Sequence, residues 1–113
     1  MVKGVWLLMD RSEVIYLIHT TKQQDANGIW QTSETRRKVY VNVKSTSATE
    51  FHDAGRNGLN PALVFTLFMY DYDDETVIEY KNKRYSVYRT YIIRNHGNDF
   101  IELHTERQGG VNR

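Results

Sequence analysis

Val39-Tyr40-Val41-Asn42-Val43-Lys44 sets a valine at every second position, with Tyr40, Asn42 and Lys44 between. Successive side chains of an extended strand point to opposite faces, so the valines share a buried face and the other three share a wet one. Phe100-Ile101-Glu102-Leu103-His104 repeats the pattern, with Ile101 and Leu103 turned one way and Glu102 and His104 the other. Aromatic and β-branched residues elsewhere fall in similar short runs, which predicts strands at Val5–Met9, Val14–Thr20, Thr35–Lys44, Leu63–Tyr72, Thr76–Tyr80, Arg84–Ile93 and Asp99–Glu106. Turn-forming residues separate them: Asp25-Ala26-Asn27-Gly28, Asp73-Asp74, Lys81-Asn82-Lys83 and Asn95-His96-Gly97-Asn98. The expected fold is mainly β, a small antiparallel barrel of six to seven strands in one domain spanning residues 1–113.

Two strands break the alternation. Leu63–Tyr70 and Tyr85–Ile93 are apolar or aromatic on both faces. A small barrel has one interior, so the second face needs a cover, either a loop of the same chain or a neighbouring subunit. One excursion, Ser45–Asn60, is not strand-like. Ser47-Ala48-Thr49-Glu50 has the spacing at which Ser47 and Glu50 satisfy each other's free backbone donors at a helix start. Phe51 and Ala54 then fall on one face, Gly55 supplies a stop, and Gly58-Leu59-Asn60-Pro61 makes an extended exit. Excursions this long in small domains usually carry function. The tail from about 108 to 113 is expected to be flexible.

The 113 residues suffice for one core, and with 40% hydrophobic and 26% charged residues the chain is globular rather than disordered. It has no cysteine, which excludes disulfide scaffolds and thiolate chemistry and suits a reducing compartment. Val5–Met9 is too short for a signal-peptide core or a membrane span. A net charge of +1 gives no global attraction to nucleic acid, so any contact with DNA must be local or come from many copies together.

The chemistry-bearing residues form no recognisable catalytic set. His19, His52, His96 and His104 are scattered, and Asp71-Tyr72-Asp73-Asp74-Glu75 lacks the glycine and distal glutamate of a calcium loop. Neither a nucleophile elbow nor a glycine-rich phosphate loop is present. We therefore expect no enzyme, no metal and no cofactor. Basic and aromatic residues do interleave in Tyr80-Lys81-Asn82-Lys83-Arg84-Tyr85-Ser86-Val87-Tyr88-Arg89-Thr90-Tyr91. That mixture can stack bases and track phosphates, so a single-strand-binding barrel is a rival to an ordinary hairpin with a charged tip.

In order along the chain stand Gly28-Ile29-Trp30, Lys38-Val39-Tyr40-Val41-Asn42-Val43, Ser47 with Glu50-Phe51, Ala54-Gly55, and Gly58-Leu59-Asn60-Pro61. Phe65–Tyr72, Tyr85-Ser86-Val87-Tyr88-Arg89-Thr90-Tyr91, Ile101-Glu102-Leu103 and Glu106-Arg107-Gln108-Gly109 follow. Over residues 14–109 this ordered set resembles the head-closure proteins of tailed bacteriophages, also called head–tail joining proteins or connector stoppers. It departs from them at Lys81-Asn82-Lys83, where such proteins often carry glycine at the turn.

The resemblance implies a non-enzymatic β-barrel at the virion head–tail interface, made in the bacterial host cytoplasm. There it joins a dodecameric ring below the portal and adaptor proteins, retains the packaged double-stranded DNA and presents a surface to the tail-completion protein; no membrane is involved. On that reading Trp30, Val39, Val41, Val43, Tyr85, Val87, Ile101 and Leu103 are core residues. Trp30, Val41, Tyr85, Tyr91, Glu102 and Leu103 form the shared signature. Lys44, Ser47, Glu50, Phe51, Arg56 and Asn57 form a channel-, DNA- or partner-facing loop, with Lys44, Arg56 and Asn57 turned to phosphate and Glu50 capping the turn. Another neck or tail-completion role and a cellular single-stranded nucleic-acid-binding barrel remain open as alternatives.

Overall fold

The computed structural model describes residues 12–108. Six strands follow one another, with one helix: β1 (Glu13–Gln24), β2 (Trp30–Ser45), α1 (Ala48–Gly55), β3 (Pro61–Phe68), β4 (Val77–Tyr80), β5 (Lys83–Ile93) and β6 (Phe100–Arg107). All neighbours are antiparallel, and the order β1-β2-β3-β6-β5-β4 closes on itself through a β1–β4 pairing. The expected barrel is therefore present, with six strands. Residues Met69–Asp71 form a 3₁₀ turn where the sequence predicted the end of a longer strand. The strand expected at Val5–Met9 lies outside the described residues, as does all of the predicted tail beyond Gln108.

The alternation read from the sequence fixes the interior. Val39, Val41, Ile101 and Leu103 point inward, joined by Ile15, Leu17, Phe65, Leu67, Ile78, Tyr80 and Tyr85. Val43 and Val87 lie half-buried against this cluster. Phe65 is its centre, with edge-on contacts to the rings of Tyr80 and Tyr85 at centroid distances of 5.4 and 5.8 Å.

Register also shows why β3 is apolar on both faces. Phe65 pairs with Leu103 and Leu67 with Ile101 inside the barrel, while Val64 pairs with His104, Thr66 with Glu102 and Phe68 with Phe100 outside it. Val64, Thr66, Phe100 and His104 are nonetheless buried, so the outer wall of β3 and β6 is covered within the chain. Part of this wall carries α1, whose Ala54 is wholly buried. His104, expected to face water, is thus a second-wall residue.

Turn chemistry agrees with the backbone. Lys81 and Asn82 both have positive φ, 50° and 66°, and Tyr80 pairs directly with Lys83. This is the twist that a two-residue hairpin loop requires, reached here without glycine. Between β1 and β2, Gly28 sits at φ 80°, its N–H bonds to the Asp25 carbonyl, and the Asp25 N–H bonds to the Ile29 carbonyl. The Asp25 carboxylate also accepts from the backbone N–H groups of Asn27 and Ile29 at 2.8 and 2.9 Å, and these hold its pKa below the ordinary value.

The sequence understated one element. β1 and β2 pair over twelve positions, from Glu13↔Val41 to Gln24↔Trp30. Yet β4 meets β1 only at Tyr16–Ile18, and β3 meets β2 only at Asn42–Ser45. The remainder is a two-stranded arm that leaves the barrel, giving extents of 61 × 33 × 22 Å and a radius of gyration of 16.2 Å. A compact domain of this length has a radius of about 13 Å.

Candidate functional site

The excursion is locked to the barrel wall through one carboxylate. Ser47 caps α1: its hydroxyl accepts from the Glu50 N–H at 3.1 Å, as the spacing predicted. The return half of the expected box does not form. The Glu50 carboxylate instead turns to β5, accepting from the Tyr88 hydroxyl at 2.8 Å and from Arg89 Nη1 at 3.0 Å. A charge-assisted bond to a half-buried phenol outweighs a solvated backbone donor, which explains the change of partner. Burial and the bond to Glu50 together push the Tyr88 phenol well above its ordinary pKa.

Tyr88 can reach the helix because β5 is irregular there. Val87 pairs with Thr105 and Arg89 with His104, which leaves Tyr88 as an extra residue. Such bulges re-aim side chains, and this one aims a tyrosine at Glu50. The network continues along the wall. Arg89 Nη1 also donates to the Tyr91 hydroxyl at 3.0 Å, and the Tyr91 ring stands edge-on to His104 at 5.0 Å. Nε2 of His104 lies 3.1 Å from one oxygen of Glu102, and Lys44 donates to the other oxygen at 3.1 Å.

Five predicted residues, Lys44, Ser47, Glu50, Tyr91 and Glu102, are thereby brought together. Tyr88, Arg89 and His104 complete the set and were missed. The signal for Tyr88 and Arg89 lay in the basic–aromatic run and that for His104 in the outward face of β6, but nothing local in sequence ties β5 to a helix some forty positions earlier.

The other predicted residues fall elsewhere. Arg56 and Asn57 follow the far end of α1, about 12 Å from its start by helix rise. Arg56 pairs with Asp53 at 3.2 Å, and the Asn57 amide donates to the Asp53 carbonyl at 3.3 Å. Lys44 and Arg56 thus sit at opposite ends of the helix, and each already faces an acidic partner. Phe51 is 48% exposed and does not share the buried face of Ala54. Gly55 is the last residue of α1, as expected. The chain reverses at Gly58, with φ 82°, where Gly58 N–H bonds Gly55 and Leu59 N–H bonds Ala54.

One core assignment is corrected, and one signature residue proves to lie outside the core. Trp30 is 66% exposed at the outer end of the arm, where no second layer of described residues covers it. Tyr91, 45% exposed, lies on the outer wall opposite Glu102. Val41, Tyr85 and Leu103 are in the interior as expected.

The basic–aromatic strand does not form a stacking platform. Tyr80 and Tyr85 are inside the barrel, and the Tyr88 hydroxyl is spent on Glu50. Arg84 pairs with Glu34, and Arg89 with Glu50. Tyr91 is the one tyrosine of β5 with an exposed ring. Among the described residues no cluster of histidine and carboxylate side chains has the makings of a metal site. No described helix is long and apolar enough to cross a membrane.

Compared with protein-family models, the chain matches none, and no curated protein matches it.

Proposed function

We propose that the chain is a structural part of a phage or prophage neck, a head-closure protein that docks below the portal and adaptor, retains packaged double-stranded DNA and offers a surface to the tail-completion protein. The observation that carries this reading is the locked excursion. A barrel with a tightly packed interior holds one short helix on its wall through Glu50, Tyr88 and Arg89, and leaves Phe51, Arg56 and Asn57 facing outward. An assembly part works by presenting fixed groups to partners, and this arrangement does so with little freedom left to lose on docking.

Two further features support the reading. The features that resemble the head-closure family stand in order along residues 14–109. Many wall cations already face carboxylates, namely Lys44, Arg36, Arg37, Arg84 and Arg89. A conduit lined by paired charges holds few phosphates, so DNA can later leave through it. In this account the chain acts as one copy of a ring at the head–tail interface of the virion.

The test is genetic and structural together. In a phage carrying the gene, Glu50→Ala with Arg89→Ala frees the helix while the barrel interior is untouched. Particles should then package DNA and lose it, or fail to take tails. Normal yields of tailed infectious particles, from a variant whose barrel is shown to fold, would overturn the assignment of the excursion.

A further inference from the structure

Among the described residues the arm carries two unpaired strand edges, and their geometry says what fits them. Asp25 and Ile29 form a hydrogen-bonded pair at the hairpin end. In an antiparallel ladder such pairs recur at every second position, so Gln23↔Gln31 and Thr21↔Ser33 face inward to each other. The backbone groups of Thr20, Lys22 and Gln24 on β1, and of Trp30, Thr32 and Glu34 on β2, therefore point out of the ribbon. Nearer the barrel the same parity serves neighbours: Tyr16 and Ile18 face β4, and Asn42 and Lys44 face β3. Beyond those short partners both edges run on unpaired among the described residues.

Long exposed edges are normally guarded by lysine, proline or a bulge. Here the outermost stretches carry one charge each, Lys22 within Thr20–Gln24 and Glu34 within Trp30–Glu34, while Arg36, Arg37 and Lys38 charge the β2 edge only nearer the barrel; neither strand has a proline or a register shift. The arm is also polar on both faces, with threonine, serine and glutamine dominating, so it gains little by folding back onto the barrel. High β propensity without an apolar face suits a strand that is completed by another strand.

We propose that the arm joins copies of this chain head to tail, the β2 edge of one arm adding to the β1 edge of the next. The two edges run antiparallel to each other within one arm, so this addition continues the same antiparallel sheet from copy to copy. Lys22 and Glu34 occupy the same face of the ribbon, and the addition sets a cation on one copy beside an anion on the next. Each copy gives one edge and receives the other, the heterologous pattern that closes into a ring or runs on as a filament. A foreign strand would satisfy one edge and leave the other open.

This rests on the self-associating half of the neck reading, and its test uses the isolated protein. Lys22→Pro and Thr32→Pro each remove an outward N–H while leaving the inward ladder whole. In sedimentation velocity over a series reaching near-millimolar concentration, the wild type should sediment faster as concentration rises and both variants should not. The chain has no cysteine of its own, so Lys22→Cys and Thr32→Cys proteins can be mixed and oxidised. The mixed disulfide should form several-fold faster than either homodisulfide. Dominant homodisulfides would show that like edges meet, and unchanged association of the proline variants would move the contact off the arm; either overturns the proposal. A wild type that neither associates nor cross-links overturns it too. No phage component is present, so these failures leave the neck reading standing, and failure of that reading in particles leaves the arm contact standing.

Discussion

Glu34 on β2 and Arg84 on β5 form a two-pronged ion pair, each carboxylate oxygen accepting from a different terminal guanidinium nitrogen at 2.9 Å. The pair spans from the arm to the barrel, and it is one rung of a ladder. Arg84 also lies 3.9 Å from Glu79, Glu79 pairs with Arg36 at 3.3 Å, and the Arg36 guanidinium lies over the Tyr16 ring at 4.4 Å. Forked pairs fix direction as well as distance, so this ladder sets the angle at which the arm leaves the wall.

Arg84→Ala should release the arm while leaving the barrel alone. Hydrogen exchange of residues 19–24 and 30–35 should quicken, and the thermal midpoint should move little because the pair is solvent-exposed. The hydrogen bond to Arg84 holds the Glu34 carboxyl below its ordinary pKa. A lowered carboxyl pKa stabilises above the unfolded value and is lost as pH falls through the folded one. Arm protection should therefore persist through neutral and mildly acid pH and disappear below the usual carboxylate range. Unchanged exchange in Arg84→Ala would refute the hinge role of this pair.

Removing the phenol that holds the helix should cost a measurable amount. Tyr88→Phe keeps the ring and deletes a hydrogen bond to a carboxylate, a loss of about 1.5–3 kcal/mol read from denaturant midpoints. Exchange in 46–57 should rise more than exchange in β3. An equal rise in both would mean that the helix and the barrel open as one unit.

Alkaline titration provides a third check. Burial first, then the nearby charges of Asp74 and Glu75, push the Tyr72 phenol up to about 12, and Tyr88 is also raised. Raised phenols stabilise fully below the ordinary tyrosine value near ~10 and lose that contribution as pH climbs through the folded one. Absorbance near the phenolate band should show tyrosines ionising late and together with unfolding. Tyr72→Phe should remove one late equivalent. Ionisation of every tyrosine in one step around the ordinary value would contradict the packing described.

Two aromatic truncations should behave oppositely. Phe65→Ala empties the barrel centre and should cost about 3–5 kcal/mol, enough to unfold a marginal domain. Trp30→Ala, at the exposed end of the arm, should shift stability by less than about 0.5 kcal/mol. Thermal melts of the two variants decide this, and a large loss in Trp30→Ala would place that ring in a contact.

The strands were legible where burial follows a period of two, as at Val39–Val43 and Ile101–Leu103. The turns were legible because asparagine, aspartate and glycine relieve strain at positive φ. The arm was not, since Thr20–Gln24 and Gln31–Thr35 pair without burying anything, and hydrophobic patterning reports burial rather than pairing. Trp30, placed in the core by the resemblance, is exposed because the partners of the arm, β4 and β3, end well before they reach it. The site was half legible. Ser47 to Glu50 is a local spacing and could be read, whereas Glu50 to Tyr88 depends on a bulge that only the register of β5 on β6 reveals. Lys44 and Glu102 were each marked, but their meeting required the β2–β3–β6 order.

The central claim, a structural place in a phage neck, meets its most direct test in electron microscopy of particles from a phage with an in-frame deletion of the gene. The account predicts capsids that have packaged DNA and then lost it, free tails beside them, and restoration of full tailed particles when the wild-type chain is supplied in trans. Tailed, DNA-filled and infectious particles at the wild-type titre without the chain would contradict it.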